Sequence, residues 1–261
     1  MPRLTWDSTG KRYYENGVDR GVLYVDDVGT PWNGLTSISE EPSSGSSKEY
    51  YMDGIKYLQL SSSEEFAATI NAYTYPKEFG VCNGTNEIRT GLMLTHQPRK
   101  SFGLSYRSFV GNDVDGNEHG YKLHIVYNAL AAPSNVTHNS LNDSPSPVDF
   151  SWALTTKPPI LTDYRPTAHV IVDTRYASAS VVSALEDVLY GTNSLTARLP
   201  TISEVIALFD SVGALVVTDN GDGTYTAVGP DSAITMLDAT TYQITWPTAI
   251  FIDANTYTIS S

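Results

Sequence analysis

The run Asp113-Val114-Asp115-Gly116-Asn117-Glu118 crowds acidic and amide side chains together in the way calcium loops do. An EF-hand loop needs oxygen ligands at positions 1, 3 and 5, glycine at 6 and a bidentate glutamate at 12. Counted from Asp113, glycine falls at position 4 and His124 at position 12, so the ligand pattern fails. A solvated reversal between two strands is the better reading, because Gly, Asn and Asp all favour turns. The five histidines are His96, His119, His124, His138 and His169. They show neither HExxH nor HxH spacing and no cysteine pairing, so they read as isolated surface or sheet histidines rather than a zinc set. Cys82 stands beside Asn83-Gly84 in a segment read as loop, with nothing near it to activate a thiolate. The chain has no GxSxG elbow, no P-loop and no GxGxxG after a strand. Two carboxylates across an aromatic-lined groove would suit a glycoside hydrolase. The 29 acidic residues and 17 tyrosines permit that idea, but no single residue nominates such a site. No catalytic, cofactor or metal site is assigned.

The elements that would position any chemistry are mostly strands. Apolar residues make up 41% of the 261 residues, charged residues only 17%, and Tyr, Thr, Val and Ser are abundant. That composition suits pleated, half-buried surfaces better than helices. The formal charge is −13, and no Lys or Arg follows Arg198 while Glu204, Asp210, Asp219, Asp222, Asp231, Asp238 and Asp253 remain. Nucleic-acid binding relies on cations that release condensed counterions, so such a chain should repel DNA. An anionic membrane surface is a poor partner for the same reason. The single cysteine rules out an intrachain disulfide and does not imply an oxidising compartment. The N-terminal residues have no apolar signal-peptide core. No apolar run approaches the roughly 20 residues of a membrane helix. The expectation is a protein folded in a reducing cytoplasm.

Along the chain, Asn16-Gly17 predicts an early hairpin between Arg12–Glu15 and Gly21–Val25. Residues Asp26 to Lys48 read as a long irregular segment, and its apolar Trp32, Leu35 and Ile38 suggest docking onto another surface. Strands are expected at Glu49–Met52 and Ile55–Leu60 around Asp53-Gly54. Phe66–Tyr75 should follow, with Phe66, Ala68, Ile70 and Ala72 on one face and Thr69, Asn71 and Tyr73 on the other. Lys77 to Lys100 reads as loop with one apolar piece, Gly91–Leu94. SFGLSYRSFVGND and GYKLHIVYNALAAPS form two long strands. Tyr121, Leu123, Ile125 and Tyr127 face the core of the second, with Lys122, His124 and Asn128 opposite. Phe150, Trp152 and Leu154 alternate with Asp149, Ser151, Ala153 and Thr155, and Thr167–Asp173 is a further strand. Val181, Val182, Leu185, Val188 and Leu189 make one helical stripe ended by Gly191. A second helix starts at Thr201 with Glu204 completing a capping box, its buried face Ile202, Val205, Ile206 and Phe209. The chain then divides into a main domain, residues 1–212, and a small β appendage, residues 213–261, with turns at Asn220-Gly221 and Asp222-Gly223.

Several of these segments, in order, resemble the major tail tube proteins of long-tailed, non-contractile bacteriophages that infect actinobacteria. They include YYENGVDRGVLYV, PWNGLTSISEEPS, YYMDGIKY, EFAATINAYTYPKEF, QPRKSFGLSYRSFVGND, GYKLHIVYNALAAPS, NDSPSPVDFSWALTT and RPTAHVIVD. ALEDVLYGT, RLPTISEVIALF, GDGTYTAVGPDSAITML and TAIFIDANTYTISS extend the likeness over nearly the whole chain. The resemblance implies a mainly β fold, an antiparallel β-sandwich or barrel flanked by an α-helix, with no enzymatic activity and no cofactor. It implies hexameric rings stacked head-to-tail into a hollow tube in the virion tail, assembled in the host cytoplasm. The partners implied are further copies of itself and the tape measure, tail tip and tail terminator proteins. DNA would pass through the lumen during genome ejection without specific binding, and no membrane is involved. In that setting Thr69, Asn71, Asp149, Ser151 and Thr155 are candidates for the lumen, and Trp32, Leu35 and Ile38 for a ring-stacking loop. The alternative from another class is a soluble carbohydrate-binding β-sandwich that stacks sugars on Tyr or Trp.

Overall fold

Alternating apolar residues make this chain a protein of strands, and helices form only where the apolar period lengthens. The computed structural model describes residues 4–42, 48–60, 64–138, 140, 147–162 and 164–211, and after them the backbone of six strands between 215 and 260. The chain divides into two units, residues 1–177 with 186–199 and residues 178–185 with 200–261.

In the first unit, strands β1 (Tyr14–Val25), β2 (Val28–Pro31), β3 (Leu35–Glu40), β6 (Ala67–Ala72), β9 (Phe102–Asn112), β10 (Gly116–Ala131), β11 (Phe150–Thr156) and β12 (His169–Asp173) form one antiparallel sheet. Its order is β2-β1-β9-β10-β11-β6-β3, with β12 pairing β10. One core gathers Leu23, Leu104, Tyr106 and Val126 from one half of that sheet with Ile70, Ala72, Trp152 and Leu154 from the other. The sheet therefore folds over on itself as a sandwich. The fold is mainly β, as the composition and alternation predicted. β10 makes the fold-over possible. Residues 122–126 pair with β12 and the last three, 129–131, with β11, and the register with β9 shifts between Val126 and Ala129. Asn128 sits in that shift with φ +50°, and its side-chain amide donates to the Lys157 carbonyl at 3.1 Å. Asn is one of the few residues that accepts this left-handed conformation at little cost.

An aromatic cluster fills the sandwich. Trp152, fully buried, lies 5.0 Å from the Phe79 ring and 5.8 Å from Trp32, and its indole N–H donates to Asn83 Oδ1 at 3.2 Å. Phe79 and Cys82 enter this core from the short helix α1 (Phe79–Cys82). Cys82 thus lies in a helix and in the core, not in a loop, and burial pushes its thiol up to about 11. The remainder of the predicted 77–100 loop holds the hairpin β7 (Asn86–Arg89) and β8 (Leu92–Leu94).

Two other expectations fail for one reason, the β-bulge. Asn16-Gly17 does not turn the chain. β1 runs through it, with register shifts between Asn16 and Asp19 and between Asp19 and Val22. Gly17 (φ +65°) and Arg20 (φ +47°) supply the positive φ that extra residues in a strand adopt. The turn comes later, at Asp26-Asp27, both with positive φ, and pairs Val25 with Val28. Likewise the described part of the segment after Asp26, residues 26–42, is not irregular, since it contains β2 and β3. A register shift between Leu35 and Ser37 puts Leu35 and Ile38 on the same face although they are three residues apart, which hides the strand from a period-two reading.

Facing β9 and β10 on the side away from the sandwich core, Tyr24 donates its hydroxyl to the Leu189 carbonyl at 2.8 Å and Tyr121 donates to Glu186 at 2.9 Å. Arg107, nearly buried, makes a two-bond fork with Asp19 at 2.8 and 2.6 Å and lies 4.5 Å from the Tyr121 ring centre. Residues 123–127 of β10 are in consequence buried on both faces, and His124, predicted to face solvent, is buried.

The second unit holds the start of α2 (Ala179–Tyr190) and all of α3 (Ile202–Ser211). Val181, Val182, Leu185 and Leu189 are the buried stripe of α2. Gly191 ends that helix at φ +78°, its N–H bonded to the Asp187 carbonyl. At α3 the predicted capping box is present. Glu204 Oε2 accepts from the Thr201 N–H at 2.7 Å, and Thr201 Oγ1 accepts from the Glu204 N–H at 3.2 Å. Ile202 and Val205 are buried, whereas Phe209 of the predicted buried face is exposed. Beyond it, β13 (Leu215–Asp219), β14 (Tyr225–Val228), β17 (Thr248–Asp253) and β18 (Thr256–Ser260) pair in the order β14-β13-β18-β17, and β15 (Ile234–Met236) pairs β16 (Tyr242–Ile244). The predicted turns at Asn220-Gly221 and Asp222-Gly223 lie outside the described residues.

Candidate functional site

The residues predicted for the lumen come together on one sheet face. Ser151 pairs with Asn71 and Ala153 with Thr69 across β11 and β6, while Ser37 pairs with Asn71 and Ser39 with Thr69 across β3 and β6. Thr155 and Asp149 lie along the same side of the β11 segment, exposed. Asn71 Nδ2 donates to Ser37 Oγ at 3.0 Å, tying β6 to β3 on this face. Ile38, Ile70, Trp152 and Leu154 occupy the opposite, core face. The result is a three-strand surface of small hydroxyl, amide and methyl side chains. Ser37, Ser39, Thr69, Asn71, Ser151, Ala153 and Thr155 carry no charge, while Asp149 and Glu41, whose Oε1 accepts from Thr69 Oγ1 at 3.3 Å, bring carboxylates to the same side.

The residues predicted to anchor a stacking loop are placed differently. Trp32 is 3% exposed, packs on Phe79 at 4.7 Å between ring centres and donates its indole N–H to the Thr74 carbonyl at 3.0 Å. Leu35 and Ile38 are half-buried against the same core. All three turn their apolar surface into their own chain.

Unpartnered apolar surface appears next along the chain instead. The strands β4 (Lys48–Met52) and β5 (Ile55–Leu60) form a two-stranded hairpin around Asp53-Gly54, whose φ values are both positive as a tight hairpin turn requires. Every residue of both strands is exposed, including Tyr50, Tyr51, Met52, Ile55, Tyr57, Leu58 and Leu60. Lys56 bonds Glu49 across the hairpin and Gln59 along it. An isolated two-stranded hairpin is marginal in water, and an exposed apolar strand pair is a ready template for another chain.

A third locus was not legible as a site. Glu40 ends β3 on the core face, two residues after Ile38, and Tyr106 and His124 face it from β9 and β10. Tyr106 donates its hydroxyl to Glu40 Oε1 at 2.7 Å. His124 stacks on the Tyr106 ring, 4.5 Å away and 5° from parallel, and bonds Ser108 Oγ through Nε2 at 2.9 Å. Its Nδ1 lies 3.1 Å from His169 Nε2 and 3.3 Å from Glu40 Oε1. Phe66 covers the His169 ring at 4.3 Å. The bond from His124, aided by Tyr106, holds the Glu40 carboxyl down near 2 against the desolvation that opposes it. Burial pushes the His169 imidazole down to about 4, so it is neutral at pH 7. The reading of isolated histidines is corrected for these two. They belong to different strands, β10 and β12, which pair Val126 with His169, and no spacing along the chain encodes that pairing. The available signal was Glu40 itself, an acid on the inward side of a strand. In the loop that drew first attention, Asn112 Oδ1 accepts from the Val114 N–H at 2.9 Å, Asp113 Oδ1 accepts from the Gly10 N–H, and Asp115 meets Asn112 and His119. The loop is the reversal between β9 and β10.

No protein-family model matches the chain, and no curated protein matches it. Among solved structures, the chain is similar to a component of the PVC sheath–tube complex of an extracellular contractile injection system in its extended state. The identity is 15% and the TM-score 0.34, over 59% of this chain and 89% of that one. It is also similar to a chain of the tube-terminating cap of the anti-feeding prophage, at 12% identity and TM-score 0.35 over 67% and 97%. A chain of the PVC sheath/tube terminator shares 12% identity and a TM-score of 0.29 over 65% and 99%.

Proposed function

We propose that this chain is a structural tail protein that polymerises with copies of itself into a tail tube, as stacked hexameric rings of the long-tailed, non-contractile phage type. The observation that carries this reading is the β4–β5 hairpin, with apolar residues exposed along both strands and uncovered by the described residues of its own chain. A neighbouring copy supplies that cover. Among the described strands the sheet ends at β2 and β3, and β12 pairs only with β10. Gly29 of β2 donates its N–H to the Ala197 carbonyl at 2.8 Å, so β3 and β12 are the edges assigned to side-to-side pairing in this reading. Ring closure removes such edges, and head-to-tail contact between rings propagates without closing.

The face of β3, β6 and β11 with small polar side chains, edged by the carboxylates of Asp149 and Glu41, is the lining of the bore in this reading. It offers a passing DNA no cation on which to release counterions, and the chain's −13 charge adds a repulsive field. Stacking contacts fall to the hairpin at 48–60 rather than to Trp32, Leu35 and Ile38. Tape measure, tail tip and terminator proteins are the expected partners in the virion tail. The chain acts by shape and charge, not by catalysis.

Negative-stain microscopy of concentrated protein tests this. Rings or tubes are expected from the parent chain, and only dispersed monomers from Ile55→Ser with Tyr57→Ser. A parent that stays monomeric at all concentrations and is retained on a glycan column would establish the carbohydrate-binding alternative.

A further inference from the structure

Three side chains at the mouth of the core converge in a way that neither packing nor assembly requires. His124 Nδ1 stands 3.1 Å from His169 Nε2 and 3.3 Å from Glu40 Oε1, and ligand atoms from all three residues lie within 4.8 Å of one another. We propose that Glu40, His124 and His169 bind one divalent transition-metal ion of the zinc type.

The spacing supports an ion. Tetrahedral bonds of about 2.0–2.1 Å to nitrogen and oxygen set neighbouring ligand atoms roughly 3.3 Å apart. Two edges of the triangle already have that length. Glu40, the most exposed of the three at 37% of its side chain, is the one free to adjust the remaining edge. Proton counting points the same way. A proton on His124 Nδ1 can bond either His169 or Glu40 well, but not both, whereas a cation bonds all three atoms at once. The outer contacts are those of a held site. Ser108 engages His124 Nε2 and so directs Nδ1 at the other two ligands. Tyr106 steadies the carboxylate. Such partners orient ligands and raise metal affinity.

Access and donor type complete the case. A cavity of about 290 Å³, lined in part by Glu40, Glu64, Phe66, Thr167 and His169, gives an ion its route and leaves room for water as a further ligand. Two imidazoles and one carboxylate suit zinc, cobalt, nickel, copper or iron, not calcium or magnesium. The ion would join β3, which pairs only with β6 among the described strands, to β10 and β12 across the open mouth of the sandwich. It acts as a staple on an edge strand.

The test uses untagged full-length protein, stripped with a chelator, equilibrated with Zn²⁺ and desalted. Elemental analysis should give about one zinc per chain, and Zn²⁺ should raise the melting temperature. Co²⁺ in its place should produce visible ligand-field bands of a low-coordinate nitrogen/oxygen site. Glu40→Gln and His169→Ala, each shown to fold by circular dichroism, should lower zinc affinity about tenfold or more, and His96→Ala should leave it unchanged. Wild-type protein that retains no zinc, or equal zinc retention in Glu40→Gln and His169→Ala, overturns the proposal. If a variant fails to fold, the wild-type Co²⁺ titration decides, and absent visible bands overturn it.

Discussion

Replacing Trp32 with alanine separates two accounts of the same residue, a core side chain or an anchor for a neighbouring ring. The indole is 3% exposed, lies against Phe79 and Trp152, and donates to the Thr74 carbonyl at 3.0 Å. Truncating a buried tryptophan costs about 3–5 kcal/mol in lost transfer energy and cavity. Losing the hydrogen bond to the Thr74 carbonyl adds about 1 kcal/mol. A total near 4–6 kcal/mol, at about 2–4 °C per kcal/mol for a unit of this size, lowers the melting temperature by roughly 10–20 °C. Ile55→Ser is the control, because Ile55 is 72% exposed and its loss should change stability by no more than about 0.5 kcal/mol. Circular-dichroism melts give stability, and light scattering of concentrated protein gives assembly. The core account requires Trp32→Ala to melt early and Ile55→Ser to melt normally but assemble poorly. A Trp32→Ala protein that melts within about 2 °C of the parent yet cannot assemble would refute the reasoning and restore Trp32 as an intersubunit anchor.

Cys82 should resist thiol reagents in the folded protein. With its thiol at about 11, only about one molecule in a thousand carries the thiolate at pH 8, so a disulfide reagent should label it rapidly only in denaturant; fast native labelling would contradict its burial. Gly34→Ala should destabilise by about 1–3 kcal/mol, measured by urea unfolding, because φ is +78° and the new Cβ meets Thr74 Cγ2 at 2.7 Å; a neutral outcome would mean that the turn before β3 yields to admit the methyl group.

What could be read along the chain was whatever obeys a strict period. β6 and β11 alternate cleanly, β9 and β10 are long apolar-rich runs, α2 carries one apolar stripe, and the Asp53-Gly54 turn and the Thr201/Glu204 box are local chemistry, so these elements appear where expected. The small polar face was legible for the same reason, since Thr69 and Asn71 alternate with Ile70 and Ala72. Irregular strands were not legible. Asn16-Gly17 has the composition of a turn and the geometry of a bulge, because both need positive φ and only the paired strand, β9, distinguishes them. The histidine cluster was hidden more deeply. Its members lie 84 and 45 residues apart along the chain, and only the pairing of β10 with β12 and the fold-over of β3 bring them together.

One bulge links the core, the candidate bore and the cluster. With strict alternation from Leu35, β3 would turn Leu35, Ser37 and Ser39 to one side and Thr36, Ile38 and Glu40 to the other. The register shift between Leu35 and Ser37 breaks that rule, so Leu35 joins Ile38 against the core and Ser37 and Ser39 join Thr69 and Asn71 outside. Once Ile38 pairs with Ile70, Glu40 must pair with Ala68 and project to the core side, where an isolated carboxylate is costly. The Tyr106 hydroxyl and the two imidazoles offset that cost. An aliphatic residue at position 40 would satisfy the alternation with no such partners. The acid at that place, with two histidines brought to it from other strands, is better explained by an ion that needs all three than by the folding of the sheet.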